Sequence, residues 1–167
     1  QFEPIVLLLR AQCFLRLGKY EDALQDLERY VGALQRRSAP PDGVGYNFRG
    51  LARALLGKAA EARGDPEAAR TQMRRALLDF NTALSLRKDL PEIWNNRGMC
   101  RLTLQVFNGA IEDWKEALKI SRENRVYAGD IPQLLVKIAG AYGAIAKAER
   151  AAGNEPAAAA AEAQARQ

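Results

Sequence analysis

The side chains that could do chemistry in this chain are few. Its 167 residues include no histidine, which removes the commonest general base, the usual nucleophilic triads and every histidine-containing metal site. The two cysteines, Cys13 and Cys100, are too few thiols for a zinc site without other ligands. Aligned on the repeats described below, they share a column with Ala59 and Ala148. Both are therefore expected to be small buried filler rather than a nucleophile or a disulfide. Carboxylates are plentiful, at Glu21-Asp22, Asp26 with Glu28, and Glu112-Asp113. Each group neighbours Arg or Lys on an amphipathic helix, so all are expected on ion-paired outer surface. Gly43-Val44-Gly45 follows two prolines and lacks the third glycine and the Lys-Ser/Thr pair of a phosphate loop. No catalytic residue, metal ligand or cofactor is expected, and the chain is read as not an enzyme.

What the residues do spell out is helix packing. Trp94-x-x-Arg97-Gly98-x-x-Arg101 is followed by Phe107-x-x-Ala110-x-x-x-Trp114-x-x-Ala117. Two helical patterns, 91–104 and 107–120, lie back to back with Gln105-Val106 between them. Gly98, Ala110 and Ala117 sit where paired helices must approach closely, and Trp94, Phe107 and Trp114 fill the space around them. The columns recur. Ala110 has counterparts at Ala23, Ala69 and Ala158, each soon after a turn, and the column of Gly98 reads Ala11, Gly57, Gly98, Ala146. Four hairpins follow, at about 3–37, 46–88, 91–121 and a degenerate 131–167.

The central unit resembles the tetratricopeptide repeat (TPR), whose pattern is Trp-x2-Leu-Gly-x2-Tyr followed by Ala-x3-Phe. Arg97 and Arg101 stand where that pattern has Leu and Tyr. Turn-to-turn spacings of 46, 41 and 48 residues exceed the family period of 34. Ser38–Gly45 accounts for the first excess, as a segment expected to be non-helical. The second is expected to be about two turns of extra helix after Pro66, because Ala76-x-x-x-Phe80-x-x-Ala83 repeats the packing pattern one heptad on. The third is divided between a polar linker, 121–130, and a long helix from Pro132 to Ala152. Helix starts are expected at Asp65-Pro66-Glu67, Asp89-Leu90-Pro91-Glu92 and Asn154-Glu155-Pro156, each with a capping side chain, an early proline and an early carboxylate. The expected architecture is one all-α domain, a right-handed superhelical stack of TPR-like hairpins with elongated helices.

The resemblance implies a partner-binding concave groove lined by the first helix of each hairpin. On this alignment its residues are Leu8, Gln12, Leu15, Leu51, Lys58, Asn95, Met99, Leu102, Lys147 and Arg150. TPR domains that grip the acidic terminus of heat-shock chaperones use Lys, Asn and Arg on these helices. The matching positions here hold Leu8, Gln12, Leu55, Glu92 and Asn96, so that carboxylate clamp is expected to be absent. The apolar groove is expected either to take a partner's apolar strip or to be covered by the chain's own last helix.

Bulk properties narrow the partner. A net charge of +5 and a pI near 9.4 tilt it towards an acidic segment. No apolar run approaches a membrane span; Ile5–Leu9 is stopped by Arg10. The chain opens on Gln1 without a leader-like segment, as an excised domain or a processed chain would. Its setting is expected to be intracellular, in the cytoplasm or an organelle interior. The expected function is a non-catalytic scaffold, adaptor or assembly factor for another protein. Two alternatives are an RNA-binding helical repeat, raised by the arginine excess, and a regulatory module of a larger enzyme. Helical RNA readers carry the same polar pair in every repeat, whereas these groove columns vary from Leu to Lys to Gly.

Overall fold

The computed structural model describes residues 3–37 and 39–167. Among them are eight α-helices and no strand: α1 Pro4–Arg16, α2 Tyr20–Arg36, α3 Gly43–Ala62, α4 Pro66–Leu86, α5 Pro91–Thr103, α6 Phe107–Glu123, α7 Ile131–Ala151 and α8 Glu155–Ala165. The chain divides into two compact units, Gln1–Lys88 and Asp89–Gln167. Each holds two antiparallel hairpins, α1–α2 and α3–α4 in the first, α5–α6 and α7–α8 in the second.

All four hairpins turn the same way. The first helix ends in a residue of positive φ, Gly18 (72°), Gly64 (78°), Gln105 (61°) or Gly153 (78°). The amide after it reaches back five residues: Lys19 to Phe14, Asp65 to Ala60, Val106 to Arg101 and Asn154 to Glu149, all at 2.8–2.9 Å. This Schellman closure satisfies carbonyls left open at the helix end, and glycine adopts the required conformation without strain from a Cβ. Gln105 is the exception and carries that strain. Gln105→Gly is expected to raise stability by about 0.5–1 kcal/mol, read as a higher urea midpoint at unchanged slope.

Two of the anticipated boundaries move, and one anticipated cap does not form. Asp42 caps α3, its carboxylate accepting from Val44 N (3.0 Å) and Gly45 N (2.9 Å), so Gly43-Val44-Gly45 is a helix start rather than loop. Ser38, at the head of that stretch, lies outside the described residues. In place of the polar linker, α6 continues to Glu123 and Arg125–Asp130 forms a 3₁₀ helix. The N-cap of α5 is Leu90, whose side chain cannot cap. The other two starts are capped as anticipated, with Asp65 Oδ1 accepting from Ala68 N at 3.0 Å and Asn154 Oδ1 from Ala157 N at 3.4 Å.

Asp42 also joins α2 to α3. Tyr30 Oη donates to its Oδ2 at 2.8 Å, and burial, then this bond, pushes the phenol pKa above its ordinary value. An unfolded tyrosine ionises near pH 10. The folded-state advantage of the protonated phenol is therefore complete below that pH and is lost as pH rises through the higher folded value. Tyr30→Phe is expected to cost about 1 kcal/mol at pH 8, and its deficit against the parent should shrink by pH 11. Denaturation midpoints at the two pH values check this.

The largest departure from expectation is in the carboxylates. Asp26, Asp79 and Asp113 are not on the surface; they are 1%, 2% and 1% exposed. Each receives an arginine of its own hairpin's first helix. Arg10 Nε and Nη2 reach Asp26 at 2.6 and 2.7 Å. Arg49 Nη2 reaches Asp79 at 2.6 Å, with Arg53 Nη1 at 2.8 Å. Arg97 Nη2 reaches Asp113 at 2.7 Å, with Arg101 Nη1 at 3.0 Å. A carboxylate buried beside a two-pronged guanidinium keeps its charge compensated and fixes how the two helices face each other. The stacked aromatic is repeated too: Arg49 lies over Tyr46 (5.0 Å) and Arg97 over Trp94 (5.1 Å).

These pairs correct the alignment of the second hairpin. Arg and Asp are 16 residues apart in the first and third hairpins but 30 apart in the second. The excess of 14 (30 against 16) is one heptad added to each helix, about two turns apiece. Gly50, not Gly57, is thus the counterpart of Gly98. An added Cβ on Gly50 would lie 2.8 Å from the Phe80 ring, as one on Gly98 would lie 2.7 Å from Trp114. Because a heptad nearly preserves helix face, the slip leaves the anticipated facing directions almost unchanged. Asp130 and Ile131 open a likewise lengthened α7 of 21 residues.

Candidate partner-binding faces

The anticipated groove residues fall in both units, and their surroundings differ. In the first unit Leu8 is buried in the core formed with Ala11, Leu27, Tyr30 and Ala52, so it is not free to line a groove. Leu15 is half-buried against that same core. Gln12 and Leu51 are half-buried, and Lys58 is exposed. Cys13 is also exposed, contrary to its expected role as filler, while Cys100 is buried. The aligned Ala52 of α3 is fully buried in the α1–α2 core, whereas on α1 the neighbouring Ile5 and Leu9 are exposed like Cys13.

The second unit brings more of the candidates together. Met99 and Leu102 on α5 are half-buried against the cluster of Trp114, Leu118, Leu134 and Ala141. One turn earlier, Asn95 Oδ1 accepts from Lys137 Nζ of α7 at 2.7 Å. Asn95 also offers its backbone carbonyl to Trp114 Nε1 at 3.3 Å. A small cavity of about 100 Å³ opens here between α5 and α7, lined by Glu92, Asn95, Gln133 and Lys137 among others. Lys137 was not among the sequence candidates, because the degenerate fourth hairpin had no motif to fix its register. Lys147 is exposed on α7. Arg150 is turned to its own hairpin, where Nη2 reaches Glu162 at 2.8 Å and Nε reaches Glu155 at 3.4 Å. This pairing with Glu162 lowers the Glu162 pKa. Arg150 therefore closes the α7–α8 turn.

The electrostatic pattern bears on the arginine excess. Arg10, Arg49, Arg53, Arg97 and Arg101 are all committed to internal aspartates. Among the described residues no helix is long and apolar enough to cross a membrane.

Paired helices with small-against-aromatic contacts and repeated Schellman turns define an all-α helical-repeat protein. Its fold is that of TPR domains. The first TPR domain of human RPAP3 is similar over 83% of this chain and 94% of its own, at 19% identity and a TM-score of 0.59. The second TPR domain of human RPAP3, solved in complex with an HSP70 peptide, is similar over 79% of this chain and 98% of its own, at 18% identity and a TM-score of 0.56. MamA is similar over 98% of this chain and 76% of its own, at 16% identity and a TM-score of 0.52. Neither a family model nor a curated protein matches the sequence.

Proposed function

We propose that this chain is a non-catalytic protein–protein interaction module, a scaffold or assembly factor that holds a segment of another protein. The observation that carries this reading is the α5–α7 face. There the apolar side chains of Met99 and Leu102 remain partly open beside the polar Asn95–Lys137 pair. An apolar strip with a few fixed polar groups is what an amphipathic peptide needs for affinity and register. The fold supports the reading, since the second RPAP3 domain is described in complex with an HSP70 peptide. The peptide taken here is proposed to be other than a chaperone carboxyl terminus, because the clamp positions carry Leu8, Gln12, Leu55, Glu92 and Asn96. With the corrected register Leu55 gives way to Phe48, which is equally unable to hold a carboxylate. The commitment of five arginines to internal aspartates argues against the RNA alternative, which needs bases free to track phosphates.

Met99→Glu combined with Leu102→Glu is the test. Affinity capture with the parent chain identifies the bound protein. The double variant is expected to weaken that complex at least about tenfold while far-ultraviolet circular dichroism stays unchanged. Undiminished capture by the variant would remove the α5–α7 face from the binding site. Binding that collapses instead with reversal of Arg36, Arg37, Arg74 and Arg75 and falls steeply with salt would favour RNA.

A further inference from the structure

A larger cavity, of about 350 Å³, lies within the first unit where α2 meets the far end of α3–α4. The added heptads create it. They carry Leu56, Ala60 and Gln72 beyond the Arg49–Asp79 level and beside the first half of α2. Leu24, Leu56 and Ala60 form an apolar floor. Glu21 and Glu28 border it against a single base, Arg63. Glu28 holds Arg53 at 3.2 Å, yet its side chain is 53% exposed and still lends its charge to the rim.

Gln72 lines the same cavity from α4. It stands eight residues after its turn glycine, as Asp26 does after Gly18, on the heptad inserted ahead of the true counterpart Asp79. The facing column holds Leu56 where the other two hairpins hold Arg10 and Arg97. The arginine and its aspartate have both moved one heptad away, to Arg49 and Asp79, and the inserted level keeps Gln72 with Leu56 in the arginine's place. Gln72 Oε1 is accordingly buried without a hydrogen-bond partner. A buried acceptor of this kind is an unmet demand for a donor, and Gln72 lines the cavity.

We propose that this cavity docks a basic amphipathic segment of a partner protein. An apolar side chain settles on Leu24, Leu56 and Ala60, and a neighbouring lysine or arginine reaches Glu21 and the Gln72 amide. The site is separate from the α5–α7 face, so either can fail without the other. The sign of its rim also differs from the acidic partner that the net charge of the whole chain suggests.

The test uses the full chain, isotopically labelled, and two synthetic amphipathic helical peptides that differ in charge: one of leucine and lysine, the other of leucine and glutamate. The lysine peptide is expected to shift the amide resonances of Glu21, Leu24, Ala60 and Gln72, and to bind at least about tenfold tighter than the glutamate peptide. Glu21→Gln with Glu28→Gln should erase that preference. Ala68→Phe, which fills the cavity and leaves every charge in place, should block the shifts while the circular dichroism spectrum is unchanged. Equal binding of the two peptides, shifts confined to other surfaces, or shifts that survive Ala68→Phe would each overturn the proposal.

Discussion

Asp113→Ala is expected to destabilise the second unit by about 3–5 kcal/mol, the cost of leaving a buried charge without its counter-ion. The carboxylate is 1% exposed and gathers Arg97 at 2.7 Å and Arg101 at 3.0 Å. Removing it leaves two guanidiniums, with side chains 14% and 26% exposed, without their shared carboxylate. That is the opposite of an exposed pair such as Arg70–Glu67, where loss of one partner should cost about 0–1 kcal/mol. Both tryptophans, Trp94 and Trp114, belong to this unit, so their fluorescence during urea unfolding reports it directly. Replacing the whole cluster, Arg97→Leu, Arg101→Tyr and Asp113→Leu together, should recover most of the loss, because an apolar set of similar volume carries no desolvation cost. A triple variant as unstable as Asp113→Ala would mean that the loss comes from packing geometry and not from the stranded charge.

That cluster marks where the sequence could be read and where it could not. The hairpins were legible because small and aromatic residues recur at helix-contact spacing, and because Gly18, Gly64 and Gly153 punctuate them. The two arginines looked like defects in a TPR pattern. They are instead one half of a substituted core contact, and their partners were hidden because an Asp among charged neighbours on an amphipathic helix reads as surface. A signal was available. Tyr46-x-x-Arg49-Gly50-x-x-Arg53 repeats Trp94-x-x-Arg97-Gly98-x-x-Arg101, and Asp79-Phe80 repeats Asp113-Trp114. Anchoring the second hairpin on its turn glycine concealed this, since a heptad slip keeps the facing direction and changes only the level. Cys13 departs from its column for another reason. Its column is small because an interior first helix is covered by the preceding hairpin, as Ala52 is, whereas Cys13 itself is exposed. Of the candidate site, Asn95, Met99 and Leu102 were legible from α5 alone, but Lys137 required knowing where α7 crosses them.

Gly98→Leu tests the contact around which the third hairpin is built. A Cβ added at this position would sit 2.7 Å from Trp114 Nε1 and 2.9 Å from Cε2, closer than non-bonded atoms tolerate. The indole has nowhere to retreat: it is fully buried, and its Nε1 donates to Asn95 O. Overpacking a filled core costs about 1–3 kcal/mol, and more when the obstructing group is rigid. Leucine at Gly98 is therefore expected to reach or exceed the top of that range. By the corrected register, Gly50→Leu should be comparably damaging in the first unit, where the fully buried Phe80 ring lies 2.8 Å from the added atom. Gly57→Leu should cost less, because the added Cβ would meet Ala69 O at 3.1 Å and the flexible Met73 at 3.2 Å, looser contacts than the 2.8 Å at Gly50. A double variant separates overpacking from loss of helix-compatible backbone. Trp114→Phe is smaller and gives up the indole nitrogen, so it should be destabilising alone yet partly offset Gly98→Leu, a coupling of opposite sign to the single effects. Thermal unfolding within a degree of the parent for Gly98→Leu, or a lower midpoint for Gly57→Leu than for Gly50→Leu, would break the register that pairs Gly50 with Gly98.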